Sequence, residues 1–422
     1  MSIKTFENTC YKLAIAITCI WFLTQVVLLF LYWDINQSFD APYYMKQAIL
    51  HSVLKMPYPT IENLYDTYIQ SPGYINVLAI FYLCFDDYHP MLLLNIFLNT
   101  GIAANIFYLG NKLFDKTTAS IAVIIYCCIP SNAFTSIWLL TEVPYLFVCL
   151  TAFNLALRKG KANIIIAGVL LAFAQTIRPI ASVFMFCIII YFIIHKYTWK
   201  KYAMILLSYS FILLLSGLYA MKQTGSYVTS STVEGYDLMY TAYDGADGGQ
   251  HPWYVFSEEG PGYIENATHV SFSQKNAIWK ERSMKWILSN PLRYLELCIK
   301  RPSLMYKSDL WSIPYFINHF NDHSATLLLL KTIFNLPFYI SLILFFISIA
   351  ILKEHILSTK GILLLNIILG TGATCLFGAE MRYHHAYIFV TAIYAAFAIK
   401  TIYYHFANSC DRTLISPSAT KS

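Results

Sequence analysis

Asp40 lies in "WDINQSFDAPYYMKQAILH" (residues 33–51), directly after the apolar run "KLAIAITCIWFLTQVVLLFLY", which holds no acid and a single cation at its start. A carboxylate at the water–membrane boundary can take the proton from a hydroxyl as that hydroxyl attacks, which is general-base chemistry. It can equally cap the helix that Pro42 starts. Asp34 is the rival acid in the same stretch, and Tyr43 and Tyr44 follow. Glu142 in "WLLTEVPYLF" is either a helix-end acid or a group that orients substrate or a catalytic cation. Arg178 in "AQTIRPIAS" stands between two apolar stretches. Its planar fork suits a phosphate, and an interfacial anchor is the other reading. "FGAEMRYHHAYIF" gathers Glu380, Arg382, Tyr383, His384 and His385. Adjacent histidines do not share a helical face and no carboxylate pair at ligand spacing accompanies them, which argues against a metal and for Arg382 facing a phosphate. "IKRPSLMYKSDLW" supplies Lys300, Arg301 and Lys307, for which headgroups or a lipid phosphate are the available anions.

The elements that must position these groups are membrane helices. The 422-residue chain is 57% hydrophobic, 17% aromatic and 12% charged, where a soluble domain carries about 25% charged residues. Its net charge of +6 comes from short connectors rather than a basic block, so nucleic acid is not an expected partner. The ten cysteines sit mostly inside apolar runs without CxxC or zinc spacing and read as small core residues. The first apolar run exceeds a signal-peptide core and lacks a small-residue cleavage site, so it is expected to stay as a helix. The "NAT" triplet at Asn266 carries no argument.

Apolar segments fall at residues 12–33, 73–85, 90–110, 117–130, 132–157, 162–176, 179–195, 202–221, 325–352, 361–378 and 386–404. Spanning takes about 20 residues, so roughly ten to twelve crossings are expected. The basic turns "RKGK" (158–161), "HKYTWKK" (195–201) and "KEHILSTK" (353–360) are assigned to the cytoplasmic side. That assignment puts Asp40, Glu142, Arg178 and Arg382 together on the opposite face. Segment 73–85 either crosses or stays out; the second version is preferred, because it leaves the lysines of "NKLFDK" (111–116) inside and Asp86 and Asp87 outside. Residues 34–71 form a first outer loop with an interfacial helix. Residues 222–324 begin as a strand-or-turn region, become helical, and are too long for a plain connector. They read as a cap over the site. The organisation is then a transmembrane module (1–221), the cap (222–324), C-terminal transmembrane helices (325–404) and a disordered tail (405–422).

With these positions assembled, the order of features resembles the GT-C glycosyltransferases, in the branch of aminoarabinose transferases and protein O-mannosyltransferases. "DAPYYMKQA" is similar to that family's acidic first-loop motif, "SPGYINVL" to its PPxxxxL, and "AEMRYHHAYIFVTAIYA" to its E-x-RY segment. "YLGNKLFDKTTASIAVIIYCCIPSNAFTSIWLLTEVPYLF", "AGVLLAFAQTIRPIA", "GSYVTSSTVEGYDLMYTA" and "NPLRYLELCIKRPSLMY" resemble further segments, so the likeness covers nearly the whole chain.

The resemblance implies a GT-C fold and transfer of a sugar from a polyprenyl-phosphate donor to a lipid, glycan or protein acceptor on the periplasmic side of a bacterial inner membrane, with inversion. It implies Asp40 as the catalytic acid position and Tyr44 as its following tyrosine. Arg178 and Arg382 then face the donor phosphate, and Glu142 fills an acidic helix-end position. Tyr383, Lys300 and Arg301 join the donor-binding candidates, with Asp34 and Glu380 as secondary ones. Ala41 replaces a common second acid, which weakens the case for a divalent cation, and no cofactor is expected. No close acidic pair is evident, which disfavours a retaining mechanism. The rivals are a polymerase or ligase of lipid-linked glycans and a flippase or transporter. The last would need broken helices at the bilayer midplane.

Overall fold

The computed structural model describes residues 3–60, 68–158, 160–318, 324–352 and 355–414. Helices dominate, because in hydrocarbon each backbone polar group must be satisfied within its own segment. In chain order they are α1 (Ile3–Leu31), α2 (Ala41–Leu54), α3 (Pro72–Phe85), α4 (His89–Leu113), α5 (Lys116–Cys128), α6 (Pro130–Phe134), α7 (Glu142–Ala156), α8 (Lys161–Ile177) and α9 (Ala181–Ile194). There follow α10 (Trp199–Thr224), α11 (Glu234–Met239), α12 (Pro252–Val255), α13 (Phe272–Ser289), α14 (Pro291–Met305) and α15 (Pro314–Asn318). The chain ends with α16 (Ala325–Leu352), α17 (Gly361–Phe377) and α18 (Ile388–Leu414). Among the described residues there is no strand, only an isolated antiparallel bridge between Gln70 and Ser231.

By length and composition α1, α4, α10, α16 and the stretch Met381–Asn408 can each cross a membrane, and α5 with Pro130–Ile137 passes the same test only as a pair bent by 71°. Shorter apolar helices are α3, α7, α8, α9 and α17. This is an all-α, multi-pass membrane protein. Its exposed residues confirm the character: Leu13, Ile20, Leu23, Val27 and Phe30 of α1 point outward, while Trp21, Gln25 and Leu28 are buried. The bend at Pro130 interrupts helical bonding, and side chains repair it. Asn132 Nδ2 donates to the Tyr126 carbonyl (2.8 Å), Asn99 Nδ2 to the Asn132 carbonyl (2.6 Å) and to Gln25 Oε1 (2.8 Å), and the Tyr126 hydroxyl to Asn99 Oδ1 (2.9 Å). Buried amides thus tie α1, α4, α5 and α6 together where lipid offers no substitute.

The basic turns gather on one face. His195 Nε2 lies 3.1 Å from Thr359 Oγ1, Arg158 Nε donates to the Tyr108 hydroxyl (3.3 Å), and Lys400 Nζ to Asp115 Oδ2 (2.7 Å). Residues 111–116 therefore share the face of the basic turns. Both ends of α3 lie on the other face: Ser71, before its start, meets the Tyr44 hydroxyl (3.4 Å), and His89, just after it, bonds the Trp33 carbonyl at the end of α1 (3.0 Å). So both ends of α3 share the face of Asp40, and Asp86 and Asp87 lie on that face too.

α10 runs to Thr224 and ends at Gly225, whose φ of 74° is the left-handed stop that glycine adopts without a Cβ clash. The segment beyond it has a core of its own, with Met239, Tyr240, Tyr243, Val255, Trp279 and Leu297 packed together. Its opening segment forms turns and α11 rather than strands. Residues 405–414, expected in a disordered tail, continue α18, and 415–422 lie outside the described residues. So do 61–67 of the first outer loop, Lys159 of "RKGK" and 353–354 of "KEHILSTK".

Candidate active site

Asp40 occupies the residue before α2, the capping position, yet its side chain makes no capping hydrogen bond. It turns instead to Arg382: Nη1 of the guanidinium lies 2.8 Å from Asp40 Oδ2. Arg382 Nε donates to Glu380 Oε2 (2.6 Å), so one arginine holds two carboxylates. The expectation that no close acidic pair faces the site is corrected here. Those acids come from segments some 340 positions apart in the chain, and sequence spacing could not pair them. Preceding Asp40, Phe39 has a φ of 60°, a conformation costing a non-glycine residue about 1–2 kcal/mol. The strained turn sets the Phe39 ring 5.4 Å from the Arg382 guanidinium.

A second arginine stands beside the first. At the end of α8, Arg178 Nε donates to Thr141 Oγ1 (2.7 Å) and Nη2 pairs with Glu142 Oε1 at the start of α7. The Glu142 side chain is 2% exposed and that of Arg178 17%, so the acid is a buried buttress and the guanidinium reaches the open side. Tyr383 lies between the two cations, its ring centroid 5.9 Å from the Arg178 guanidinium and 5.5 Å from that of Arg382. Tyr44 is buried, packs edge-on against Tyr74, and receives a hydrogen bond from Gln70 Nε2 (3.4 Å). Burial pushes its phenol well above the ordinary value, so it remains a hydroxyl.

These groups surround a cavity of about 650 Å³ lined by Asp40, Tyr44, Arg178, Glu380, Arg382 and Tyr383. Its wall continues with Ile177, Ile180, Ala373, Thr374 and Phe377, where α8 ends, α9 begins and α17 ends. Asp34 is not in it. That acid is exposed in a separate surface groove with Pro42, Lys46 and Tyr88. Lys300 is exposed on α14 and does not line the cavity. Arg301 does not line it either: fully buried, it spends its guanidinium on the carbonyls of Cys375 (2.7 Å) and Thr241. Those carbonyls include the unpaired end of α17, so Arg301 is a strut that ties α14 to α17 and to the segment after α11. Arg301→Lys is expected to lower the thermal midpoint in detergent, at about 1.5–3 kcal/mol for each charged hydrogen bond not remade.

No family model matches the sequence, and no curated protein matches it. Solved structures of an oligosaccharyltransferase from Archaeoglobus fulgidus do match. Its apo form is 13% identical over 97% of this chain and 53% of that chain, with a TM-score of 0.52. AglB from the same organism, in complex with an inhibitory peptide and a dolichol-phosphate, is 13% identical over 97% and 52%, with a TM-score of 0.50. The form tethered through a disulfide to an acceptor peptide containing the NVT sequon is 12% identical over 97% and 52%, with a TM-score of 0.51. The fold is GT-C. This chain spans about half the length of those structures.

Within this GT-C fold, sequence reasoning missed a further wall of the same cavity: Tyr68 of the first loop, and Tyr236, Asp237, Tyr240 and Gln250 of the segment after α10. Asp237 was visible only as an acid in the aromatic-rich "EGYDLMY", a signal too weak to separate it from its neighbours. Burial first, then the charges of Asp40, Glu380 and Glu234, raise its carboxyl to about 7. A carboxyl raised in the folded state adds stability at pH values below its unfolded range near 4 and loses it as pH climbs through about 7. Asp237→Asn is therefore expected to unfold at a higher temperature than wild type at pH 8, with the gap closing toward pH 4; thermal scans at both pH values check it. Asp40 and Glu380 are both engaged by Arg382, and no group of three His, Cys, Asp or Glu side chains that could hold a metal occurs among the described residues.

Proposed function

We propose that this chain is an integral-membrane glycosyltransferase that moves a sugar from a polyprenyl-phosphate donor to an acceptor hydroxyl, with inversion, at the periplasmic face of a bacterial cytoplasmic membrane. The observation that carries the reading is Asp40 standing beside two arginines, Arg178 and Arg382, at a single cavity on the face opposite the basic turns. The AglB neighbour complexed with a dolichol-phosphate supports the donor class. In the same reading, residues 1–221 and 325–404 form the transmembrane body and 222–324 the cap.

In the reaction, Asp40 takes the proton of the attacking hydroxyl while its oxygen bonds to the anomeric carbon. The bond from that carbon to the phosphate oxygen breaks, and polyprenyl phosphate leaves with the electron pair. Arg178 and Arg382 meet the charge that develops on the phosphate. Glu142 holds Arg178 forward, the Tyr44 hydroxyl donates to the substrate, and the Tyr383 ring keeps the two guanidiniums apart. The apolar wall of Ile177, Ile180, Ala373 and Phe377 receives the first prenyl units. Phosphate leaves well once its charge is met, so a single displacement needs one base and no covalent intermediate, and Glu380 serves to position Arg382.

The test is mass spectrometry of envelope glycolipids and glycoproteins from cells with and without the gene. Loss of one hexose or pentose from one class of molecule agrees with the reading and names the sugar and the acceptor. Identical glycan profiles overturn it.

A further inference from the structure

The cap could have closed over the cavity with apolar side chains; instead it presents a carboxyl. α11, which bears Asp237, is fixed at both ends. Ahead of it, Ser71 N donates to the Ser230 carbonyl and Thr232 N to the Ile69 carbonyl, each at 2.9 Å. Behind it, Thr241 Oγ1 donates to the Phe377 carbonyl (2.7 Å), and Arg301 binds the Thr241 carbonyl. On its far side, Tyr236 N donates to Asn276 Oδ1 (2.9 Å). Held this way, Asp237 has one hydrogen bond, from the Tyr240 hydroxyl at 3.3 Å, and no cation pairs with it among the described residues. A carboxyl kept in a cavity without a cation, beside further acids, costs stability. Groups retained at such a cost concentrate at functional sites.

We infer that Asp237 binds the acceptor, and that its wall with Tyr68, Tyr236, Tyr240 and Gln250 is a subsite for a saccharide, so that the acceptor is a glycan hydroxyl. The inference rests on the glycosyltransferase reading above. Three features favour a saccharide over a peptide. Tyr68 and Tyr236 are each backed by a stacked ring, Tyr43 at 4.4 Å and Phe256 at 4.6 Å, which makes them rigid flat surfaces of the kind a sugar's C–H face covers. A carboxyl titrating near neutrality and the Gln250 amide can each donate and accept, which suits neighbouring hydroxyls. Among the described residues the backbone pairing at the cavity, Gln70 with Ser231, is consumed within the chain, and none of them offers a strand edge there for a peptide. In the transfer step Asp237 forms no bond to carbon. It accepts hydrogen bonds from the acceptor sugar, while the proton of the attacking oxygen goes to Asp40.

The test uses the full chain in lipid nanodiscs. Radiolabelled polyprenyl-phosphate sugars extracted from the native membrane are the donor, and either the delipidated envelope glycan fraction or a mixture of Ser- and Thr-containing peptides is the acceptor. With Asp237→Asn, acceptor KM for the glycan fraction is expected to rise roughly tenfold or more, the size of one lost hydrogen bond to a carboxyl, while donor KM holds. Wild-type acceptor KM in the variant overturns the inference. So does a parallel shift of both KM values, as a purely structural role would give, or label arriving on peptides and not on glycans. Failure of the glycosyltransferase reading looks different: wild type then consumes no donor with either acceptor.

Discussion

Asp40→Asn is expected to leave the protein folded and to lower sugar transfer by about 10²–10⁴-fold, the usual contribution of a positioned base. The substitution keeps volume and shape and removes the negative charge. Asp40 makes no capping hydrogen bond for α2, so the helix start does not depend on it. Arg382 keeps Glu380 as a partner at 2.6 Å and is not left as a lone buried charge. Donor KM should change little, because the arginines and the apolar groove hold the lipid phosphate. The paired control is Asp34→Asn. Asp34 lies in a different groove, and this variant is expected to transfer sugar at the wild-type rate. Side-by-side turnover of the two variants decides between the acids that the sequence alone left as rivals.

Arg178→Gln is expected to cost both stability and chemistry. Removing the guanidinium strands Glu142, whose side chain is 2% exposed and whose Oε2 has no hydrogen-bond partner. Breaking a buried pair from one side destabilises by about 3–5 kcal/mol. Loss of one group that stabilises developing charge adds about 10²–10³-fold in rate. The effects separate in the double variant Glu142→Gln with Arg178→Gln, which no longer buries a lone carboxylate. Its thermal midpoint should recover toward wild type while transfer stays low. Recovery of transfer together with stability would reduce Arg178 to an anchor for α8.

Much of this architecture was legible because hydrocarbon constrains the chain so strongly. Apolar runs marked the helices, and the lysines of residues 111–116 pointed to the face of the basic turns, which that segment shares. Asp40, Glu142, Arg178 and Arg382 were found because charge beside a long apolar run is conspicuous, and topology put them on one face. Their pairing was not legible. Asp40 meets Arg382, and Glu142 meets Arg178, through contacts that only the packed bundle creates. Arg301 and Lys300 show the opposite failure, since a basic cluster in an outer loop looks the same whether it faces a ligand or a row of backbone carbonyls. Asp237 escaped because its segment carries several other acids, among them Glu234, Asp244, Asp247, Glu258 and Glu259, so one more there carried no contrast. The close acids around Arg382 escaped for a related reason: separation along the chain says nothing about separation across a cavity.

The most direct measurement is the fate of labelled polyprenyl-phosphate sugar, extracted from the native membrane, when added to nanodiscs carrying wild type, Asp40→Asn or Arg178→Gln together with an envelope acceptor fraction. The account predicts that wild type releases polyprenyl phosphate and moves the label onto the acceptor with inverted anomeric configuration, and that both variants leave the donor intact. Intact donor with wild type, or turnover by Asp40→Asn at the wild-type rate, would contradict it.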